Sequence, residues 1–220
     1  MDRIKQQFAK SFDTYEENAL VQRLMAEKLS TALTQIESEF DTVLEIGAGT
    51  GLLTRELASK IRFNNYIAND LCEESEQYVA PFVDHFIPGD ACNIEVEADL
   101  MVSNAVLQWI DDWGALPNAE MLAFSTFLPG NLHELQELTG LSLDYKSVEE
   151  VKQILGEILY WEEFEFKITF ATPMELLAHL KYTGVNSLGS WSFAQVKEFC
   201  RRCSVPELTY TPVIVVARQG

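Results

Sequence analysis

The sequence predicts an α/β fold built on a mostly parallel sheet with helices on both faces. Three observations carry this. An apolar run, Thr42-Val43-Leu44-Glu45-Ile46, ends in Gly47-Ala48-Gly49-Thr50-Gly51 and passes into a helix-patterned segment, 52–61. That reads as a buried strand, a tight turn and a helix. A second apolar run, Asn65-Tyr66-Ile67-Ala68-Asn69-Asp70, ends on an acid 19 residues after Gly51. Further β runs then alternate with helical ones, the pattern of parallel strands joined by crossovers.

Taken in order, residues 2–37 read as helix in two pieces. Ile4, Phe8 and Phe12 share a face in the first, and Ala19, Leu20, Leu24, Leu29 and Leu33 sit near helical spacing in the second. The body follows: strand 42–47, helix 51–61, strand 65–70, helix 73–80, strand 85–88 ending in Gly89-Asp90-Ala91, strand 98–104, and strand 121–127. Residues 128–135 lead into a helix, 147–158 are helical, and 161–170 alternate as one strand. A helix with proline in its first turn spans 173–182, another spans 192–202, and Leu208–Arg218 is one last β run. One link is short. Only sixteen residues, 105–120, with Pro117 among them, join two strands expected to be parallel neighbours. A crossover takes a dozen or more residues. Either the chain is trimmed here or missing residues have been closed up in the numbering.

Composition excludes several classes. A chain of 220 residues suits one α/β domain with an elaboration, and 47% apolar residues can fill a core. A net charge of −18 argues against nonspecific nucleic-acid binding. There is no run of eighteen apolar residues and no signal-peptide pattern, so no membrane span and a cytoplasmic location are expected. Cys72, Cys92, Cys200 and Cys203 read as cytosolic thiols. Cys200-x-x-Cys203 is half a metal site without a second pair, so two thiols on one helix is the reading and no metal is expected.

The glycine turn is the candidate binding site. Glycines there allow positive φ and let a ligand approach the backbone, and the helix behind them presents free N–H groups. A P-loop would need Lys-Ser/Thr where Leu52 and Leu53 stand. A dinucleotide loop has the spacing G-x-G-x-x-G, whereas Gly47, Gly49 and Gly51 are spaced by two. An acid at the end of the second strand, here Asp70, accepts hydrogen bonds from ribose hydroxyls, although it can also cap the next helix.

The pattern Glu45-x-Gly47-x-Gly49-x-Gly51 resembles motif I of the class I S-adenosylmethionine (SAM) methyltransferases. The resemblance implies a Rossmann-like fold: a mostly parallel seven-stranded sheet, helices on both faces and an N-terminal helical lid. It places the lid at residues 1–40 and the methyltransferase domain at 41–220, with a helical substrate-side elaboration around 128–160 and 173–203. It implies that Glu45 lies under the cofactor's amino-acid end, that Asp70 holds the ribose, and that Asp90 followed by Ala91 pairs with the adenine amino group. Tyr15, Gln22, Gly47, Ala48, Gly49, Leu71 and Asn104 complete the implied cofactor set.

Several stretches are more particular. Phe12-Asp13-x-Tyr15-x-x-Asn18-Ala19-x-x-Gln22, Ser103-Asn104-Ala105-x-Leu107-Gln108-Trp109, Phe124-Ser125-Thr126-Phe127 and Lys181-x-Thr183-Gly184-Val185-Asn186 resemble the malonyl-acyl-carrier-protein O-methyltransferases of biotin synthesis. The likeness runs nearly end to end. It departs at 113–120 and at a short link between Cys203 and Leu208. It implies methyl transfer from SAM, leaving S-adenosylhomocysteine, to the free carboxylate of a malonyl thioester on acyl carrier protein or coenzyme A. The ester then enters pimelate and biotin synthesis. A carboxylate is already ionised at neutral pH, so no general base is required and no catalytic residue is assigned beyond orientation. Lys181 is a candidate for the malonyl carboxylate. For an acidic carrier protein the candidate docking cations are Arg3, Lys5 and Lys10, or Lys197, Arg201 and Arg202. Two alternatives stay open: a SAM methyltransferase acting on another small acid or amine, and a catalytically silent SAM-binding interaction protein.

Overall fold

The computed structural model describes residues 18–183 and 191–219. The N-terminal positions singled out above, Tyr15 with Phe12, Arg3, Lys5 and Lys10, and the stretch 184–190 lie outside the described residues.

Nine strands and seven α-helices are described. The strands are β1 (Glu39–Ile46), β2 (Arg62–Asp70), β3 (His85–Pro88), β4 (Ala98–Asn104), β5 (Ala119–Phe127), β6 (Glu157–Glu163), β7 (Phe166–Thr169), β8 (Glu207–Tyr210) and β9 (Pro212–Arg218). The helices are α1 (Leu20–Ile36), α2 (Leu52–Ala58), α3 (Glu76–Val79), α4 (His133–Thr139), α5 (Val148–Ile154), α6 (Pro173–Tyr182) and α7 (Phe193–Arg202). Seven strands form one sheet in the order β3-β2-β1-β4-β5-β9-β6, and β7 pairs with β8 in a two-stranded sheet. The pairs from β3 through β5 are parallel, while β9 runs antiparallel to both β5 and β6. Strand order reverses between β1 and β4. In open α/β sheets a crevice forms outside the carboxyl ends of the strands at such a switch point.

The core explains the local choices. Val43, Leu44 and Ile46 of β1 are buried, as a strand covered on both faces requires. Helix α1 buries Val21, Met25, Leu29 and Leu33 against α2, β4, β5 and β9. Burying one such side chain stabilises by about 2 kcal/mol. Residues 20–36, read within the lid, are thus packed into the body, and β1 begins one residue before the boundary drawn at 40. Among the described residues no helix is long and apolar enough to cross a membrane.

Four sequence expectations change. The run 161–170 is not one strand: β6 ends at Glu163 in the large sheet and β7 starts at Phe166 in the small one. The run 208–218 is likewise two strands, broken at Thr211, whose N–H donates to Asn131 Oδ1 at 3.1 Å. Helix 147–158 stops at Ile154, and Glu157 already belongs to β6. Gly156 marks the change, because a Cβ there would run into the carbonyl oxygen of Arg218 on the neighbouring strand. Finally, the sixteen-residue link does carry β4 to a parallel β5, through two 3₁₀ turns, Leu107–Trp109 and Trp113–Ala115, in place of an α-helix.

Candidate functional site

The carboxyl ends of β1, β2, β3 and β4 border a cavity of about 160 Å³. Each strand end supplies a polar group: Glu45 from β1, Asp70 from β2, Asp90 just past β3, and Asn104 from β4. The glycine turn closes one side. Gly47 and Gly49 adopt positive φ, 69° and 56°, which side chains rarely tolerate. A Cβ on Gly47 would collide with Val106, whereas one on Gly49 would meet nothing within 4 Å, so Gly49 faces the open cavity.

Asp70 organises this turn. Its Oδ2 accepts from the Gly49 N–H and its Oδ1 from the Cys72 N–H, both at 2.8 Å. Burial pushes its carboxyl above the usual range, against the two backbone donors that hold it down. The Cys72 thiol is a third donor to this carboxylate, which leaves about one of its four lone-pair sites for a further donor. Glu45 lies deeper, 1% exposed. Its Oε2 accepts from Thr54 Oγ1 at 2.7 Å and from the Tyr66 hydroxyl at 2.8 Å. Burial outweighs both donors and raises its pKa to about 7. Asp90 caps the turn Ala91–Asn93, accepting from the Cys92 N–H at 3.0 Å.

Asn104 ties three elements together. Its Nδ2 donates to the Gln22 carbonyl of α1 at 3.0 Å, and its Oδ1 accepts from Ser125 of β5 at 2.6 Å. The next residue, Ala105, sits in the left-handed region at φ 57°, which costs a non-glycine residue about 1 kcal/mol. Its N–H is held by the carbonyl and the hydroxyl of Ser125.

Most of the sequence-derived cofactor set converges here. Glu45, Gly47, Ala48, Gly49, Asp70, Leu71, Asp90, Ala91 and Asn104 all line this cavity. Gln22 does not. It lines a neighbouring cavity of about 30 Å³, together with Gln108, Asn131, Tyr145 and Tyr210. Ala105 and Trp109 belong to the walls of both. Lys181 is exposed in the last turn of α6 and lines neither. Lys197, Arg201 and Arg202 are exposed on α7 and line neither cavity. Arg201 holds Glu198 at 2.6 Å, and Arg202 donates to the Leu138 carbonyl at 2.7 Å.

Sequence reasoning missed Thr50, Val106 and Ile110 in the large cavity and all of the small one except Gln22. Thr50 stood inside the glycine motif and was passed over. Ala105, Gln108, Trp109, Phe127 and Thr183 of the small cavity stand in family-like stretches that carry no expected role of their own. Behind it, His179 Nε2 and the Tyr210 hydroxyl share a hydrogen bond of 2.8 Å. Burial lowers the His179 pKa to about 4, so its ring is neutral near pH 7.

A family model described as a methyltransferase domain matches residues 16–184. The malonyl-[acyl-carrier protein] O-methyltransferase of Bacteroides thetaiotaomicron is 33% identical over 253 aligned positions, covering 98% of this chain and 97% of its own. That of Chlorobium phaeovibrioides is 34% identical over 250 positions, covering 98% and 95%. Both alignments exceed 220 positions, so these relatives carry insertions relative to this chain. Among solved structures, the YcgJ protein of Bacillus subtilis superposes with a TM-score of 0.60 at 14% identity, over 87% of this chain and 98% of its own. The [4+2]-cyclase SpnF superposes with a TM-score of 0.56 at 15% identity, over 90% and 80%. These two likenesses speak for the fold alone, and fold does not settle reaction. The model match over residues 16–184 and the relatives at 33% and 34% identity along nearly the whole length decide the matter: the chain belongs to the methyltransferase-domain family, within the group of malonyl-[acyl-carrier protein] O-methyltransferases.

Proposed function

We propose that the protein binds SAM in the large cavity and methylates the free carboxylate of a malonyl thioester carried on acyl carrier protein. The observation that carries this is the convergence of Glu45, Asp70, Asp90 and Asn104 around one cavity at the switch point, in a chain of this family. The residues fit an adenosyl cofactor. Two carboxylates with spare lone pairs suit ribose hydroxyls and an adenine amino group. The buried Thr50 Oγ1 has no hydrogen-bond partner among the described residues, and Thr50 lines the same cavity. A buried hydroxyl without a partner is costly, and a ligand in this cavity would relieve it.

SAM, when bound, supplies a methyl group on a sulfonium sulfur. The chain's part is to hold and orient. Asp70 would take the ribose, Asp90 and Ala91 the adenine edge, Leu71 would pack beside the base, and Gly49 would let the ligand reach the backbone. Glu45, with its pKa raised to about 7, would face the cofactor's ammonium group and would complete its charge on binding. The malonyl carboxylate, held in line with that methyl, would be its acceptor. No proton moves, so no general base is needed and the rate rests on alignment. Tyr15 and the residues before Asn18 act as the lid, and α7 presents Lys197 to the acidic carrier.

The test is transfer of labelled methyl from SAM to malonyl-acyl-carrier protein, malonyl-CoA and free small acids and amines. Labelling of the malonyl thioesters above all others is expected. Preferred labelling of another acid or amine would make this a different small-molecule methyltransferase. SAM binding without transfer to any acceptor would make it a silent binder.

A further inference from the structure

The small cavity beside the cofactor cavity is built for an anion. Gln22 is 5% exposed, and its backbone carbonyl is occupied by Asn104, yet its side-chain amide has no partner among the described residues. The Tyr145 hydroxyl accepts from Asn131 Nδ2 at 2.8 Å, which leaves its own proton without an acceptor among the described residues. Asn131 is fixed in that role, because its Oδ1 is taken by the Thr211 N–H. The other polar neighbours are committed. Gln108 donates to the Ala105 carbonyl at 2.6 Å and accepts from Thr126, and the Tyr210 hydroxyl faces His179. So one amide and one phenol, both donors, remain aimed at the same space.

That space has a size and a charge preference. At about 10–15 Å³ per water-sized occupant, 30 Å³ admits a carboxylate and excludes a ring system. No described residue lining it carries a charge. Burial keeps the Tyr145 phenol protonated by raising its pKa, so it donates at neutral pH. Neutral donors suit the reaction, in which anion and sulfonium lose their charges together. A cation beside the carboxylate would favour the ground state, where the charge is full, over the transition state, where it fades. Neutral donors hold the anion while leaving it nucleophilic.

We propose that this cavity receives the acceptor, with Gln22 and Tyr145 each donating a hydrogen bond to the malonyl carboxylate; this rests on the methyl-transfer reading above. A carboxylate could also arrive as the methionine end of the cofactor. Position favours the acceptor. The cavity takes Phe127 from the carboxyl end of β5 and Asn131 from just past it, two strands from the Glu45 strand, roughly 10 Å across the sheet. Its shared walls, Ala105 and Trp109, place it directly beside the large cavity.

Tyr145→Phe and Gln22→Leu test this in the full chain, read by the Michaelis constant for malonyl-CoA, by calorimetric SAM affinity, and by affinity for the malonyl methyl ester product. Each variant is expected to raise the Michaelis constant at least tenfold, with SAM and ester affinities within twofold of wild type. Weakened SAM binding with an unchanged Michaelis constant would assign the cavity to the cofactor's carboxylate and overturn the proposal. No change in either would also overturn it. Wild-type protein inactive on malonyl thioesters would instead sink the functional reading and the pocket with it. Tyr145→Phe removes a single oxygen, so the test stands even where Gln22→Leu fails to fold.

Discussion

Two buried groups titrate against each other, and separating them is the most direct check on the site's electrostatics. Glu45 has its pKa raised from 4.5 to about 7 by burial. Folding therefore keeps a proton that the unfolded chain releases. This contribution is fully present below pH 4.5 and is lost as pH rises through 7. His179 has its pKa lowered from 6.5 to about 4 by burial. Its contribution is present above pH 6.5 and is lost as pH falls through 4. At about 1.4 kcal/mol per unit, each contribution amounts to about 3 kcal/mol. Between pH 4.5 and 6.5 the two slopes are equal and opposite, so the wild-type pair contributes no net slope there. Glu45→Gln keeps an acceptor for Thr54 and Tyr66 and removes one slope. Its stability is expected to rise relative to wild type by about 3 kcal/mol from pH 4.5 to 7. His179→Gln should show the reverse trend between pH 4 and 6.5. Urea unfolding of the ligand-free proteins at half-unit pH intervals reads both. Groups common to all three proteins cancel in the differences. Parallel profiles for wild type and both variants would refute the account.

Three further outcomes follow from the same geometry. Asp70→Ala removes an acceptor for the ribose and the anchor of the Gly49 N–H, so SAM affinity should fall by about 1.5–3 kcal/mol in calorimetry. Wild-type affinity in that variant would remove Asp70 from the ribose. SAM binding at pH 7 should release up to about half a proton from Glu45, seen as a dependence of binding heat on buffer ionisation enthalpy that Glu45→Gln abolishes. Among the described residues Lys197 has no ion-pair partner, while Arg201 and Arg202 are engaged. Lys197→Glu should therefore raise the Michaelis constant for malonyl-acyl-carrier protein several-fold at low salt and leave that for malonyl-CoA unchanged. Equal effects on both substrates would move the docking face elsewhere.

How much was legible depended on whether the signal was local. The turn from β1 to α2 declares itself in consecutive residues, because three glycines with positive φ and a buried strand before them have few alternatives. Strands β3 and β4 were read at their observed bounds, since each is a short run closed by a turn. Alternation over 161–170 could not reveal that its two halves join different sheets, because period two is the same in both. The break at Thr211 depends on Asn131, eighty residues away, and so leaves no mark in the run itself. The small cavity draws on α1, the link after β4, the loops around α4, the end of α6 and β8. Only the folded chain assembles it.

Strand β9 has a consequence for how the protein is made. It lies between β5 and β6, pairing with both, although it is the last strand in the sequence. Until the ribosome has delivered Pro212–Arg218, the β5 edge keeps its row of N–H and C=O groups unpaired, and Val213, Ile214, Val215 and Val216 are missing from the core. The nascent chain can assemble β1 to β5 and still cannot close its sheet. Closing the sheet therefore waits on Pro212–Arg218 and is a late, long-range step. A nascent chain stalled before residue 212 would present an open, apolar edge to chaperones or to its neighbours.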